Sequence, residues 1–146
     1  THMFAFNKTE AIEVHGRLLN DGLIGSQNIY IRKYEKLFTY FYSINGLPIT
    51  KEFRFFCYKD QVICGAFYWE GMWDDSAMPN PEEVPKEFLN ELTSIISKNT
   101  NAYVIDVAQK EDGNWTLIEI NDLQMSGLSG NDPEVFYSAL KRAVSL

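Results

Sequence analysis

Cysteine, histidine and basic residues are scarce in this 146-residue chain. Two cysteines do not form a disulfide framework at this length, and with only two histidines they do not supply a zinc site. Lys and Arg number 13 against 20 Asp and Glu, and the net charge of -7 argues against a protein that tracks a nucleic-acid backbone. No apolar run is long enough to cross a bilayer, and no signal peptide is recognisable. We therefore expect a cytoplasmic protein without a nucleic-acid or membrane partner.

Three short motifs of nucleotide-binding and hydrolytic sites are absent as well. The chain has no Gly-x-x-x-x-Gly-Lys-Ser/Thr phosphate loop, no Gly-x-Gly-x-x-Gly and no Gly-x-Ser-x-Gly. What it does have is 45% hydrophobic and 14% aromatic residues, which is typical of a globular protein with one good core. We expect a single domain over residues 4–146, because Thr1, His2 and Met3 resemble a cloning remnant.

Hydrophobic periodicity and turn residues predict helices interleaved with strands. The last helix has Asp132 as its N-cap and Pro133 at its first position. The strands pair as hairpins, which favours an α+β fold with a largely antiparallel sheet that helices cover on one side. The predicted helices span 8–21, 85–99 and the residues after Asp132 with the buried stripe Phe136, Leu140 and Val144, and the predicted strands span 29–34, 49–58, 62–69 and the two arms of 103–121.

The predicted hairpin between Tyr103 and Asn121 brings acidic side chains together. If Asp112-Gly113 is a two-residue turn, Asp106 lies directly opposite Glu119, and Asn121 follows on the same sheet face. Two carboxylates at a cross-strand separation of roughly 5 Å repel each other. They need a cation, a shared proton or a basic partner, and a magnesium ion with oxygen ligands is one answer. Solvated carboxylates and a structural ion pair are the alternatives.

The strand over 49–58 places Glu52 and Arg54 on one face. Two charged groups on a strand that otherwise looks buried need partners. Arg54 is suited to a nucleotide phosphate by its planar fork of donors, and an ion pair on a solvated face is the alternative. Arg32 and Lys33 present the same choice earlier in the chain. Cys57 and Cys64 lie opposite each other if Asp60-Gln61 is the turn between their strands, and we expect both thiols to be reduced.

These segments resemble the C-terminal part of an ATP-grasp domain. The likeness is carried by Tyr30-Ile31-Arg32-Lys33-Tyr34-Glu35, by Lys51-Glu52-Phe53-Arg54-Phe55-Phe56, and above all by Asp106-Val107 with Ile118-Glu119-Ile120-Asn121-Asp122. It is most similar to a bacterial and phage branch whose substrate is poorly known. The resemblance implies that Asp106, Glu119 and Asn121 bind the magnesium ions that bridge the phosphates of ATP.

The resemblance also implies the remaining roles. Residues 10–34 would be the tail of the first lobe of an ATP-grasp enzyme, and 35–146 its C-terminal lobe. Arg32, Lys33, Tyr34 and Glu35 would lie near the adenine, while Arg54, with Glu52 beside it, would reach the phosphates as a catalytic clamp.

Two functions follow as expectations. The first is the Mg-ATP-binding portion of an ATP-dependent ligase, completed by an upstream lobe, that joins an unknown carboxylate to an amine or thiol through an acyl phosphate. The second is a truncated, non-catalytic ATP-grasp-like domain that binds a partner or forms a homodimer. In that case Phe38, Trp69 and Trp73 would form a sticky surface patch.

Overall fold

The computed structural model describes residues 5–74 and 77–145. The chain forms two compact units, Thr1–Glu35 and Lys36–Leu146. None of the helices in the described ranges is long and apolar enough to span a bilayer. The assignment of these residues to the lobes of a larger enzyme remains a prediction.

The first unit contains one helix, α1, over Lys8–Leu19. It begins after Asn7, whose side-chain oxygen accepts a hydrogen bond from the backbone N–H of Glu10. The strand predicted over 29–34 is wrong, since this segment is extended but pairs with no other strand in the described part of the chain. Ile31 is 80% exposed, so the apolar pattern buries no face here, and β propensity alone does not make a strand.

The second unit contains six strands and two α-helices among its described residues. Short 3-10 turns connect several of them. The strands are β1 Thr39–Tyr42, β2 Pro48–Thr50, β3 Glu52–Tyr58, β4 Gln61–Phe67, β5 Ala102–Gln109 and β6 Trp115–Asp122, and the helices are α2 Lys86–Ile96 and α3 Pro133–Val144.

All strand pairs are antiparallel, as the sequence predicts. One sheet has four strands in the order β4-β3-β5-β6, and a second consists of β1 and β2. The single strand predicted over 49–58 is divided at Lys51, which changes partner there. Its N–H donates to the carbonyl of Phe38 at 2.9 Å, and its own carbonyl accepts from the N–H of Gln109 at 3.0 Å.

The two faces of the four-stranded sheet carry different side chains. Phe53 and Phe55 of β3 belong to the main hydrophobic core with Leu89 and Ile96 of α2. The opposite face is covered in part by α3, where the rings of Phe56 and Phe136 lie 4.5 Å apart. The α+β fold is therefore confirmed, with a helix packed against each face. The predicted stripe on α3 ends one turn early, because Leu140 packs against this cluster while Val144 is 57% exposed.

The two cysteines do not pair across the hairpin of β3 and β4. The turn comprises Lys59 and Asp60, one residue earlier than predicted, and a bulge follows, so Cys57 lies opposite Val62 and Cys64 opposite Phe56. Because neighbouring residues of a strand point to opposite faces, this shift separates the two side chains. Both thiols are free, and burial raises the pKa of Cys57 to about 12 and that of Cys64 to about 11. They are reduced, poorly reactive groups, in agreement with the expectation.

Substituting Gly65 in β4 tests the packing of this hairpin. A Cβ atom there would lie 2.1 Å from Cδ1 of the Phe55 ring, and Phe55 is buried in the core. We expect Gly65→Ala to lower the free energy of unfolding by about 1–3 kcal/mol, the usual cost of overpacking. Gly71→Ala is the control, since open space surrounds its Cβ position. Urea unfolding monitored by circular dichroism measures both, and equal stabilities would show that the ring moves away without cost.

Candidate functional site

The hairpin of β5 and β6 places Asp106 directly opposite Glu119, as predicted. The turn differs from the prediction. The Lys110 N–H donates to the Asn114 carbonyl at 2.7 Å, and Gly113 has φ +85°, so the loop contains three residues rather than two. A bulge beyond Asp106 adds one residue to β6 and restores the predicted register. The pairing was therefore predicted correctly although the turn was not.

Asp106 makes a buried ion pair with Arg54, its neighbour on β3. The Arg54 Nε donates to Oδ1 of Asp106 at 2.8 Å, and Nη2 donates to Oδ2 at 2.6 Å. Asp106 is 0% exposed and Arg54 is 7% exposed. This two-pronged contact is the strongest geometry for a guanidinium and a carboxylate. One of the alternatives left open by the sequence, an ion pair, is thus present, but it is buried rather than solvated.

Further contacts hold the Arg54 guanidinium in place. Its Nη1 donates to the Gly127 carbonyl at 2.9 Å, and its Cζ lies 4.8 Å from the centre of the Tyr68 ring. Glu119 extends the cluster, since its Oε1 lies 3.6 Å from Nη2 of Arg54. The guanidinium is therefore enclosed by two carboxylates, a carbonyl and an aromatic face, all of which favour a positive charge.

Glu119 and Asn121 form the accessible part of this cluster. The Nδ2 of Asn121 donates to Oε1 of Glu119 at 2.7 Å, and the Glu119 side chain is 49% exposed. The three residues predicted to bind metal thus lie on one sheet face. Among residues 5–74 and 77–145, no group of three or more His, Cys, Asp or Glu side chains has the arrangement of a metal site. Two carboxylates and an amide fall below that number.

The donor chemistry of the trio fits magnesium, since every available ligand atom is an oxygen. Glu119 is open to solvent, and the Asn121 amide oxygen complements it. Asp106 is different, because both of its oxygens accept from Arg54. A carboxylate has about four lone-pair sites, so a metal at Asp106 would share that group with the guanidinium.

Burial determines the electrostatics of the pair. Removal from water raises the pKa of Asp106 above its ordinary value, against the opposing effect of Arg54, and nearby Glu119 raises it further. The hydrogen bond with Asp106 raises the pKa of Arg54. The cluster holds more negative than positive charge, so an added cation at Glu119 would be stabilised.

Glu52 is the second buried carboxyl group on this face. It is 7% exposed, and Thr50 Oγ1 donates to its Oε2 at 2.9 Å. Burial raises its pKa to about 7, and the charges of Asp106 and Glu119 contribute to the increase. This group can therefore gain or lose a proton near neutral pH.

The other residues predicted to bind nucleotide lie in the first unit. Arg32, Lys33, Tyr34 and Glu35 belong to its extended segment, where Lys33 Nζ lies 3.3 Å from Glu35 Oε1. Tyr34 is 63% exposed. Their role near an adenine remains a prediction.

Comparison with known families identifies the chain. Residues 9–140 match the model of a family described as an ATP-grasp domain, family 3 of its clade. The chain belongs to this ATP-grasp family. Searches of curated proteins and of solved structures give no significant match. The family assignment confirms the resemblance found in the sequence and makes this ATP-grasp chain an ATP-binding module of the ligase type. ATP-grasp domains in general bind ATP and Mg²⁺.

Sequence reasoning missed several partners in the ATP-grasp site. The Gly127 carbonyl and the Tyr68 ring both contact Arg54, while Trp69 Nε1 donates to Thr50 Oγ1 at 3.0 Å. Tyr68 follows Ala66, the cross-strand partner of Arg54, by two residues, so its position on the same face was a usable signal. Gly127 lies outside any strand, and no local pattern indicates that its carbonyl faces an arginine.

The cost of breaking the buried ion pair is measurable. Arg54→Met leaves the Asp106 carboxyl group buried without a partner, and we expect it to lower the free energy of unfolding by about 3–5 kcal/mol. Asp106→Asn strands the guanidinium at a similar cost. The double variant should lose less than the sum of the two, because neither charge then remains alone.

The control for this cycle is Lys36→Met, which breaks an ion pair between exposed partners. Lys36 Nζ lies 3.9 Å from Glu111 Oε2, and we expect less than about 1 kcal/mol. Chemical denaturation gives all four values. Strict additivity of the Arg54 and Asp106 substitutions would contradict the direct pairing.

Glu52 makes the stability dependent on pH. Its pKa rises from 4.5 to about 7 on folding, so between these values the folded chain holds a proton that the unfolded chain has released. The stability that this group contributes is therefore fully present below pH 4.5 and is lost as the pH rises through 7, by on the order of 3 kcal/mol. We expect Glu52→Gln to remove this part of the decrease. Urea midpoints between pH 4 and 9 test it, with exposed Glu91→Gln as the control that retains the profile.

Proposed function

We propose that this chain supplies the Mg-ATP site of an ATP-dependent ligase that activates a carboxylate as an acyl phosphate. The supporting observation is the cluster of Arg54, Asp106, Glu119 and Asn121, which lies on one face of the sheet within an ATP-grasp chain. It combines a fixed guanidinium with exposed oxygen donors, which are the two kinds of group that a polyphosphate and its metal require.

Arg54 is the phosphate contact in this proposal. Three of its hydrogen bonds hold it on Asp106 and Gly127. A guanidinium carries five N–H donors, so two remain for a ligand oxygen. Because Asp106 and Gly127 fix the side chain beforehand, little rotamer entropy is lost when a phosphate binds. Arg54 would thus orient the transferred phosphoryl group and stabilise its negative charge.

Glu119 and Asn121, with Asp106 behind them, would hold the metal ion. Magnesium, when bound, neutralises charge on the phosphate oxygens. The chain's own contribution is to place Glu119 opposite Asp106 and to orient its carboxylate through the Asn121 amide. The buried face of the sheet beneath them supplies the rigidity on which this positioning depends.

The chemistry that follows is a ligation in two steps. A substrate carboxylate attacks the terminal phosphorus of ATP, and ADP leaves. An amine or thiol then attacks the carbonyl carbon, the new bond forms, and phosphate departs with the electrons of the broken carbon–oxygen bond. The identity of both substrates depends on groups outside this cluster.

A second candidate function is a binding or dimerisation module. The patch expected for it is not formed as predicted, since Trp69 and Trp73 are partly buried and pack against the main core. Tyr42 and Ile44, at the end of the β1–β2 hairpin, are 69% and 101% exposed. Light scattering tests this candidate, and a concentration-dependent dimer without nucleotide binding would favour it.

Variants of the exposed ligands test the proposed Mg-ATP site. Glu119→Gln and Asn121→Ala each remove one oxygen ligand without exposing the core, so the fold should persist. We expect each to weaken Mg-dependent ATP binding by about ten- to a hundredfold, the range for losing a supporting contact at a metal site. Isothermal titration calorimetry with Mg-ATP measures the affinity, and Glu91→Gln on α2 is the control of matched chemistry. Unchanged affinity in both site variants would contradict the assignment.

A further inference from the structure

Glu52 receives a hydrogen-bond relay whose direction is fixed. Trp69 Nε1 lies 3.0 Å from Thr50 Oγ1, which lies 2.9 Å from Glu52 Oε2. An indole N–H can only donate, so the Thr50 hydroxyl accepts from Trp69 and directs its own proton to Glu52. Oε2 of Glu52 is therefore an acceptor.

This direction determines where a proton on Glu52 would reside. With Oε2 accepting from Thr50, the proton is carried by Oε1. Within the described part of the chain, Oε1 makes no hydrogen bond. Burial, the main cause of the raised pKa of this group, favours the neutral form. A neutral carboxyl group with its donor unused resembles a binding group more than a structural one.

The surroundings of Glu52 indicate what such a donor would meet. Arg54 follows it by two residues on the same face of β3, and Asp106 and Glu119 are the charged groups of β5 and β6 that act on it. From the end of β4, the backbone N–H of Tyr68 donates to the Glu52 carbonyl at 2.9 Å, which places Tyr68 on this side as well. With Asp106 neutralised by Arg54, an ionised Glu52 would repel a phosphate, whereas a protonated one would donate to it.

We propose that Glu52 is a protonated carboxyl that donates from Oε1 to a phosphate oxygen of the nucleotide at Arg54, with Thr50 and Trp69 as positioning residues. This inference rests on the proposed Mg-ATP site and assigns Glu52 a specific state and role within it. The site would then offer a guanidinium and a carboxylic acid side by side, and it would accept an anionic ligand only with the proton in place.

Nucleotide binding is then coupled to proton binding. Below its pKa, Glu52 already carries the proton, and affinity is independent of this group. Above its pKa, the proton must be taken up as the ligand binds, so the affinity falls by up to about tenfold per pH unit. The Glu52→Gln side chain imitates the protonated form, since its amide also accepts from Thr50 at one end and donates at the other.

Calorimetry with Mg-ATP at pH 6 to 8.5, in buffers of different ionisation enthalpy, measures both affinity and proton uptake. For the unmodified chain we expect uptake approaching one proton at pH 8 and an affinity that decreases above neutral pH. Glu52→Gln should lose this uptake, bind equally well across the range and bind more tightly than the unmodified chain at pH 8.5. Its profile also accounts for titration of the nucleotide itself.

Two substitutions at Thr50 separate positioning from mere stability. The Thr50 hydrogen bond lowers the pKa of Glu52, so Thr50→Val should move the midpoint of the affinity loss to higher pH. Thr50→Ser keeps the hydroxyl group and should leave the midpoint unchanged. Circular dichroism verifies that each variant is folded.

The possible outcomes distinguish this inference from the proposed function. If the unmodified chain binds Mg-ATP without proton uptake, or if Glu52→Gln shows the same pH dependence as the unmodified chain, the role of Glu52 is wrong while the nucleotide site stands. If the folded, unmodified chain does not bind Mg-ATP at any pH in this range, the proposed function and this inference both fail.

Discussion

The buried ion pair between Arg54 and Asp106 is the interaction on which the site depends. It joins the two central strands of the sheet, and Asp106 could not remain inside the protein without it. Arg54 in turn holds the Gly127 loop through its carbonyl and lies against the Tyr68 ring. One guanidinium therefore links β3, β5, the loop after β6 and the end of the β3–β4 hairpin. Such a pair costs desolvation energy, which is consistent with a functional reason for retaining it.

The sheet separates structural from functional residues by its two faces. On one face, Phe53, Phe55 and the residues of α2 supply an apolar core that needs no charged group. On the other, α3 covers only the end near Phe56, and the acidic and basic side chains occupy the remainder. A rigid core on one side and an incompletely covered polar surface on the other is a suitable arrangement for a ligand site in an ATP-grasp domain.

The sequence predicted those features that depend on alternation and turn chemistry. The pairing of Asp106 with Glu119 and the start of α3 at Asp132 follow from local rules, and both are present. It failed where long-range packing decides. Residues 29–34 have strand propensity but no pairing partner in the described part of the chain, and a single bulge separates Cys57 from Cys64. The partner of Arg54 was also out of reach, because it depends on which strands become neighbours and not on the spacing within each strand.

In the proposed function, this ion pair forms the inner wall of a metal-nucleotide site. Manganese replaces magnesium at oxygen ligands and broadens the NMR signals of nearby nuclei, so it reports proximity directly. Titration of the chain with Mn-ATP should selectively broaden the Asn121 side-chain amide and the Arg54 Nε–H signals, while signals from α2 remain sharp. Equal or negligible broadening at these two positions, with Mn-ATP bound elsewhere, would contradict the account.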